Sequence, residues 1–244
     1  MVVDVFAMGG DHDRLTAAEA ASVIGWWLEA GVDVAIQEQP RAWLGAATVP
    51  SPEAHVIETQ ATTQENPASL GAFRAWLAET PSLPLANSSS RRALPMGVEA
   101  AEVMLLADMP TPEDVAEGQP IAGQAWELIE RMLGAIGFSA EQAYVASLSC
   151  FHSPGTRLTG QELEACAAIA RRHIALAKPK RLLLLGDTPN RALLGKPLTT
   201  ARGHVHKVEG VRTVATFHPR FLLDRPSNKA LAWRDLQLLM EEEV

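Results

Sequence analysis

VRTVATFHPRFLLD, residues 211–224, decides how this chain is read. Val211, Val214 and Phe217 with Ala215 suit a strand buried on both faces. Pro219 has no backbone N–H to donate, so the ladder stops there and an apolar turn follows. His218 is therefore expected at the rim of a sheet, the place where open α/β folds hold their ligands. A lone histidine at a strand end carries little weight; the basic residues around it and the similar strand ends upstream add to it.

Working outward from this strand, the chain from residue 98 onward alternates strand, loop and helix. Val103–Leu106, Ala143–Leu148, Arg181–Leu185 and Arg212–Phe217 read as four strands. Gln124–Ile136 is amphipathic, with Trp126, Ile129, Met132, Leu133 and Ile136 on one face. Thr159 and Glu162 form a capping box that opens a helix to Ala177, and Lys229–Glu241 closes the chain as a helix. Gly186 ends the third strand, with Asp187 or Thr188 as cap and Pro189 at the first helical position. The stretch ADMPTPEDVAEGQP reads as a loop. This alternation predicts an α/β fold, a three-layer α/β/α arrangement around a central, mainly parallel four-stranded sheet. Right-handed connections put the strand C-termini on one rim, which collects Asp108, Ser147, Gly186 and His218.

Residues 1–97 read differently, as a helical and irregular N-terminal extension. Thr16–Glu19 is a capping box followed by Ala21, Ile24, Trp27 and Leu28 at helical spacing, Val32–Ile36 is a short strand, and Trp43–Gln64 is a loop. Pro67–Glu79 forms a helix through Leu70, Phe73 and Leu77, and Pro81–Pro95 is irregular.

The chain has 244 residues, 47% of them hydrophobic, enough for one sizeable core plus an extension. No apolar run reaches the roughly 18 residues of a membrane span, and the N-terminus lacks a secretory layout, so a cytoplasmic location without membrane contact is expected. Net charge is −8, yet Phe151–Arg234 holds 15 Lys and Arg against 5 Asp and Glu, leaving 6 basic and 24 acidic residues elsewhere. That asymmetry is the footprint of an anion-binding face, of the kind that holds phosphates. The acidic N-terminal part could dock on a protein partner. Gly195-Lys196 does not make a phosphate loop, because Pro197 stands where Ser or Thr is needed. His204 and His206 have no further ligands nearby in sequence and read as surface strand residues, not a metal site.

Taken together, HPRFLLDRPSNKALAWRDLQ (His218–Gln237), GQPIAGQAWELIERMLGAIGF (Gly118–Phe138), PGTR (Pro154–Arg157), KPKRLLLLG (Lys178–Gly186) and ARGHVH (Ala201–His206) resemble the uracil-DNA glycosylase superfamily, most closely the bacterial family 4 enzymes. The similarity covers Val103 to Leu239. It implies excision of a flipped base from DNA. Under it, Asp108 serves the sugar cation or orients water, and His218 stabilises the leaving base; both are catalytic. The base pocket would be formed by Ala107, Met109, Pro110, Ile121 and Ser147. Arg157, Arg202, Arg220 and Arg225 would hold phosphates, and Pro219, Arg220 and Phe221 would lie on a loop pressing into the duplex.

Several positions depart from the family pattern. Ala107–Thr111 stands where the family has GEAPG, so Asp108 is one methylene shorter than glutamate and Met109 and Thr111 replace small residues. Ile121 replaces a stacking Phe, and Ser147 replaces an Asn whose amide offers a paired donor and acceptor. Many family members carry a four-iron cluster on four cysteines. This chain has only Cys150 and Cys166, which read as buried packing residues, so no cofactor is expected. The alternative implied by these departures is a catalytically impaired DNA-binding or accessory protein that retains the fold.

Overall fold

The computed structural model describes residues 67–86, 91–152 and 158–241. The helix expected at residues 16–28, the strand at 32–36, the loop at 43–64 and Arg157 lie outside them. Among the described residues, helix α1 spans Leu70–Glu79, strand β1 Met96–Gly97, β2 Val103–Ala107, α2 Pro112–Glu117, α3 Gly123–Ala135 and β3 Ala143–Ser147. They are followed by α4 Gly160–Ala177, β4 Arg181–Leu185, α5 Asp187–Leu194, α6 Leu198–Ala201, β5 Val205–Val208, β6 Val211–Thr216, α7 Pro219–Asp224 and α8 Lys229–Met240.

The sheet runs β1-β3-β2-β4-β6-β5. The four strands expected from the apolar runs, β3, β2, β4 and β6, are parallel and central. Two antiparallel edge strands extend the expected four to six. β1 is only two residues long, too short to leave a periodic signal; Gly97 sits at φ 111, and a Cβ there would strike the Ala143 carbonyl oxygen at 2.2 Å. β5 and β6 form a hairpin around Glu209 and Gly210, both at positive φ. Glu-Gly is a weaker turn signal than Asn-Gly, which is why the hairpin does not announce itself.

Side-chain alternation explains the three layers. Met104 and Leu106 point to one face with Leu182, Leu184, Ala170 and Ile174, the side covered by α4. Val103, Leu105 and Ala107 point to the other with Ile129, Leu133, Leu236 and Leu239, the side covered by α3 and α8. Period-2 geometry makes each strand serve both cores. Leu105, Leu106, Leu182, Leu183 and Leu184 are at most 1% exposed. Each such side chain contributes roughly 1.5–3 kcal/mol of transfer free energy. Residues Phe73 and Leu77 of α1 close a further apolar cluster with Leu83, Cys150 and Phe151.

The helix starts follow local chemistry. Thr159 caps α4, and the Glu162 carboxylate accepts from the Thr159 N–H at 2.8 Å, as the capping box predicts. At α5 the cap is Gly186, and Asp187 begins the helix, which puts Pro189 at its third position; the expected cap at Asp187 or Thr188 is corrected by one or two residues. α2 lies where a loop was expected. Its signal is legible in hindsight: Thr111 caps it, Pro112 takes the first position, and Asp114 closes a capping box. The turn after His218 is likewise a helix, α7, with Pro219 at its start.

Candidate active site

Strands β2, β4 and β6 are adjacent, so the residues just past their C-terminal ends become neighbours. Asp108 follows β2, Gly186 follows β4, and His218 follows β6 after Phe217. A Cβ added to Gly186 would lie 3.6 Å from His218 Cβ and 3.8 Å from Asp108 Oδ2. Those are ordinary contact distances, so it is the backbone conformation of Gly186, φ 99, that favours glycine there, and the two side chains flank it. They line a cavity of about 710 Å³ together with Met109, Pro110, Thr111, His152, Asp187, Thr188, Arg191 and Arg220. Leu158 and Leu163 provide an apolar wall.

Both oxygens of Asp108 are engaged. Oδ1 accepts from the Met109 N–H at 2.8 Å, and Oδ2 accepts from the Thr188 hydroxyl at 2.8 Å. Burial raises its pKa above the ordinary carboxylate value; the Thr188 and Met109 hydrogen bonds pull it down, and the nearby negative charge of Asp187 adds to the rise. The carboxyl is therefore more basic than an exposed aspartate.

His218 caps α7 with its own ring. Nδ1 accepts from the Arg220 N–H at 3.2 Å, so in the neutral ring the proton sits on Nε2. Burial lowers its pKa to about 4, the Arg220 charge assists, and Asp114 opposes. At neutral pH the ring is thus uncharged, with an N–H donor at Nε2.

Asp114, in α2, ties three loops together. It is fully buried. Oδ1 accepts from the Ala122 N–H and from Arg220 Nη2, both at 2.6 Å, while Oδ2 accepts from the Thr111 N–H at 2.7 Å and its hydroxyl at 2.8 Å. A buried carboxylate must be paired in this way. The loop after β2, the start of α3 and the start of α7 are thereby held in one register.

Placement of the expected residues is uneven. Asp108, His218, Met109 and Pro110 come together on the cavity. Ala107 is inside the sheet and Ile121 is fully buried in the core under α3; neither lines the cavity, and both leave the expected base pocket. Ser147 opens instead onto a separate void of about 20 Å³ beside Cys150 and His173. Arg220 is committed to Asp114. Arg202 is committed to Asp235 at 2.8 Å and lies 4.0 Å over the Phe217 ring. Each of these guanidiniums is thus the counterion of a buried carboxylate. Pro219, Arg220 and Phe221 form the first turn of α7 and not a loop. Phe221 is exposed and stacks on Phe217 at 5.0 Å, with exposed Arg225 5.5 Å from its ring centre.

Sequence reasoning missed Asp114, His152 and Thr188. The capping-box pattern could have found Asp114. No local signal marks His152, whose Nδ1 lies 2.8 Å from the Pro110 carbonyl, 42 positions away.

The residues do not fit a four-thiolate cluster. The chain holds two cysteines, both buried, and Cys150 packs among Phe73, Leu77, Leu83 and Phe151. Burial pushes each thiol up to about 11, away from the thiolate a metal requires. Among the described residues no three His, Cys, Asp or Glu side chains gather as ligands. None of the helices among them is long and apolar enough to cross a membrane.

The family model for the uracil DNA glycosylase superfamily matches residues 94–237. The type-4 uracil-DNA glycosylase of Archaeoglobus fulgidus is 26% identical over 142 residues, covering 54% of this chain and 71% of that protein. That of Thermotoga maritima is 27% identical over 132 residues, covering 52% and 69%. The enzyme from Pyrobaculum aerophilum is 24% identical over 147 residues, covering 56% and 75%.

Proposed function

The chain belongs to the uracil DNA glycosylase superfamily, and from that premise we propose that it hydrolyses the N-glycosidic bond of uracil or another damaged base in DNA. A base inside a duplex is inaccessible, so the nucleotide must leave the stack and enter a pocket. As the bond between C1′ and the base breaks, the electron pair leaves with the base and positive charge builds on the sugar. Asp108, buried and more basic than usual, stabilises that charge and orients the water that adds to C1′. His218, neutral and carrying its proton on Nε2, donates to the base oxygen where negative charge collects. The water's proton passes to solvent or to the departing base.

The convergence of Asp108 and His218 over Gly186 carries this assignment. DNA is the polymer implied, and exposed Arg225 and Phe221 beside His218 supply a charge and an apolar edge for it. Ile121 and Ser147, drawn away from the cavity, favour a second assignment, a DNA-binding protein with impaired excision.

Incubation with a uracil-containing oligonucleotide followed by alkali separates the two. Strand scission by the wild type, reduced about 10²–10³-fold by His218→Ala, is expected for the enzyme. Salt-sensitive DNA binding without scission would leave the impaired protein.

A further inference from the structure

The cavity holds two imidazoles, and their hydrogen bonds fix opposite tautomers. His218 Nδ1 accepts from a backbone N–H, which leaves its Nε2 a donor. His152 Nδ1 faces the Pro110 carbonyl at 2.8 Å. A carbonyl oxygen can only accept, so Nδ1 of His152 carries a proton, and in the neutral form of the ring Nε2 is a bare acceptor. Both rings line the same cavity. Ser147, at the position where a base-reading amide is expected, opens onto a different void, so base recognition in this cavity needs another group.

We propose that His152 reads the base, accepting a hydrogen bond from a pyrimidine ring N–H while His218 donates to the adjacent carbonyl. This rests on the glycosylase assignment above. A pyrimidine whose O2 faces His218 presents N3 next around the ring. In uracil that atom is an N–H donor and meets the His152 lone pair. In cytosine it is itself a lone pair, and two acceptors would be opposed. The pairing thus admits the deaminated base and rejects the normal one, in place of a side-chain amide. The tie to Pro110 holds the ring so that the acceptor is presented without reorganisation.

The test is binding of free uracil and of 3-methyluracil, which lacks the N3 proton, by the full chain and two variants. His152→Asn keeps a donor near the Pro110 carbonyl and loses the acceptor at Nε2. His152→Gln keeps an acceptor near the Nε2 position and loses the tie. The wild type is expected to bind uracil about tenfold more tightly than 3-methyluracil, the size of one lost hydrogen bond. His152→Gln should retain most of that preference and His152→Asn should lose it. The reverse ranking would assign His152 a structural role only and overturn the proposal. Uracil binding whose preference survives in both variants would overturn it while leaving the glycosylase assignment standing. Failure of the wild type to bind either base would remove both. Should the variants not fold, long-range proton–nitrogen spectra of the histidine-labelled wild type decide: a proton on Nδ1 of His152, with its Nε2 signal moving on uracil addition, is expected, and a proton on Nε2 overturns the assignment.

Discussion

Two stretches of the same sheet rim have opposite fates. Past β2, β4 and β6 the rim is open and polar, with Asp108, Thr188 and His218 around a cavity of about 710 Å³. Past β3 it is filled as far as Phe151: Cys150 and Phe151 pack with Leu77 and Leu83, about 20 Å³ of free space remains, and His152 beyond them returns to the open cavity. The parallel strands offer equivalent ends, so the difference arises from the loops. Small or polar residues follow β2 and β4, whereas an apolar cluster seals the end of β3. One part of the rim is left open and polar, and the other is closed by apolar packing.

Substitutions on the two sides should therefore separate stability from activity. The largest effect is expected from Phe151→Ala, which empties the sealed side; a loss of about 3–5 kcal/mol in denaturant unfolding follows from the cavity, with DNA affinity unchanged in whatever protein remains folded. Asp114→Ala should cost a similar amount, about 3–5 kcal/mol, by leaving Arg220 unpaired. It should also lower excision, because Asp114 holds the loops that carry Thr111 and His218 on the open side. Equal activity per folded molecule in this variant would break the distinction drawn for that residue.

Acid should act on both sides at once. His173, buried on the sealed side and bonded to the Tyr144 hydroxyl at 2.7 Å, has a pKa lowered by burial to about 3, and His218 is lowered to about 4. Their unfolded value is about 6.5. Below it the unfolded chain binds more protons than the folded one, so stability rises with pH in this window. The contribution is complete above about 6.5 and is lost as pH falls toward 4 and then 3. Melting temperature should decline steadily from pH 7 to pH 4; a flat profile would contradict the buried, neutral state of both rings.

A smaller effect, about tenfold in excision, is expected for Thr188→Val, which removes one hydrogen bond to a charged acceptor. That hydrogen bond lowers the Asp108 pKa. Its loss should move the acid limb of the pH–rate profile to higher pH, and an unmoved limb would separate Thr188 from Asp108.

The open and sealed regions also differ in how far the amino-acid order reveals them. Strands such as Val103–Ala107 are visible because continuous apolar runs suit a sheet covered on both faces, and Asp108 and His218 follow from where those runs stop. The partners of Arg220 and Arg202 are not visible, because their carboxylates lie 106 and 33 positions away and only the folded chain brings them together. Ile121 looks like a pocket residue by its place in a motif, yet packing under α3 takes it into the core. His152 has no periodic or capping context at all; its hydrogen bond to Pro110 is tertiary.

Quantifying free base released from uracil-containing DNA, for the wild type beside Asp108→Asn and His218→Ala, tests the central claim most directly. Release by the wild type and a fall of at least about 10²-fold in both variants is the predicted result. Release that persists undiminished without either side chain, or no release by the intact protein, would contradict it.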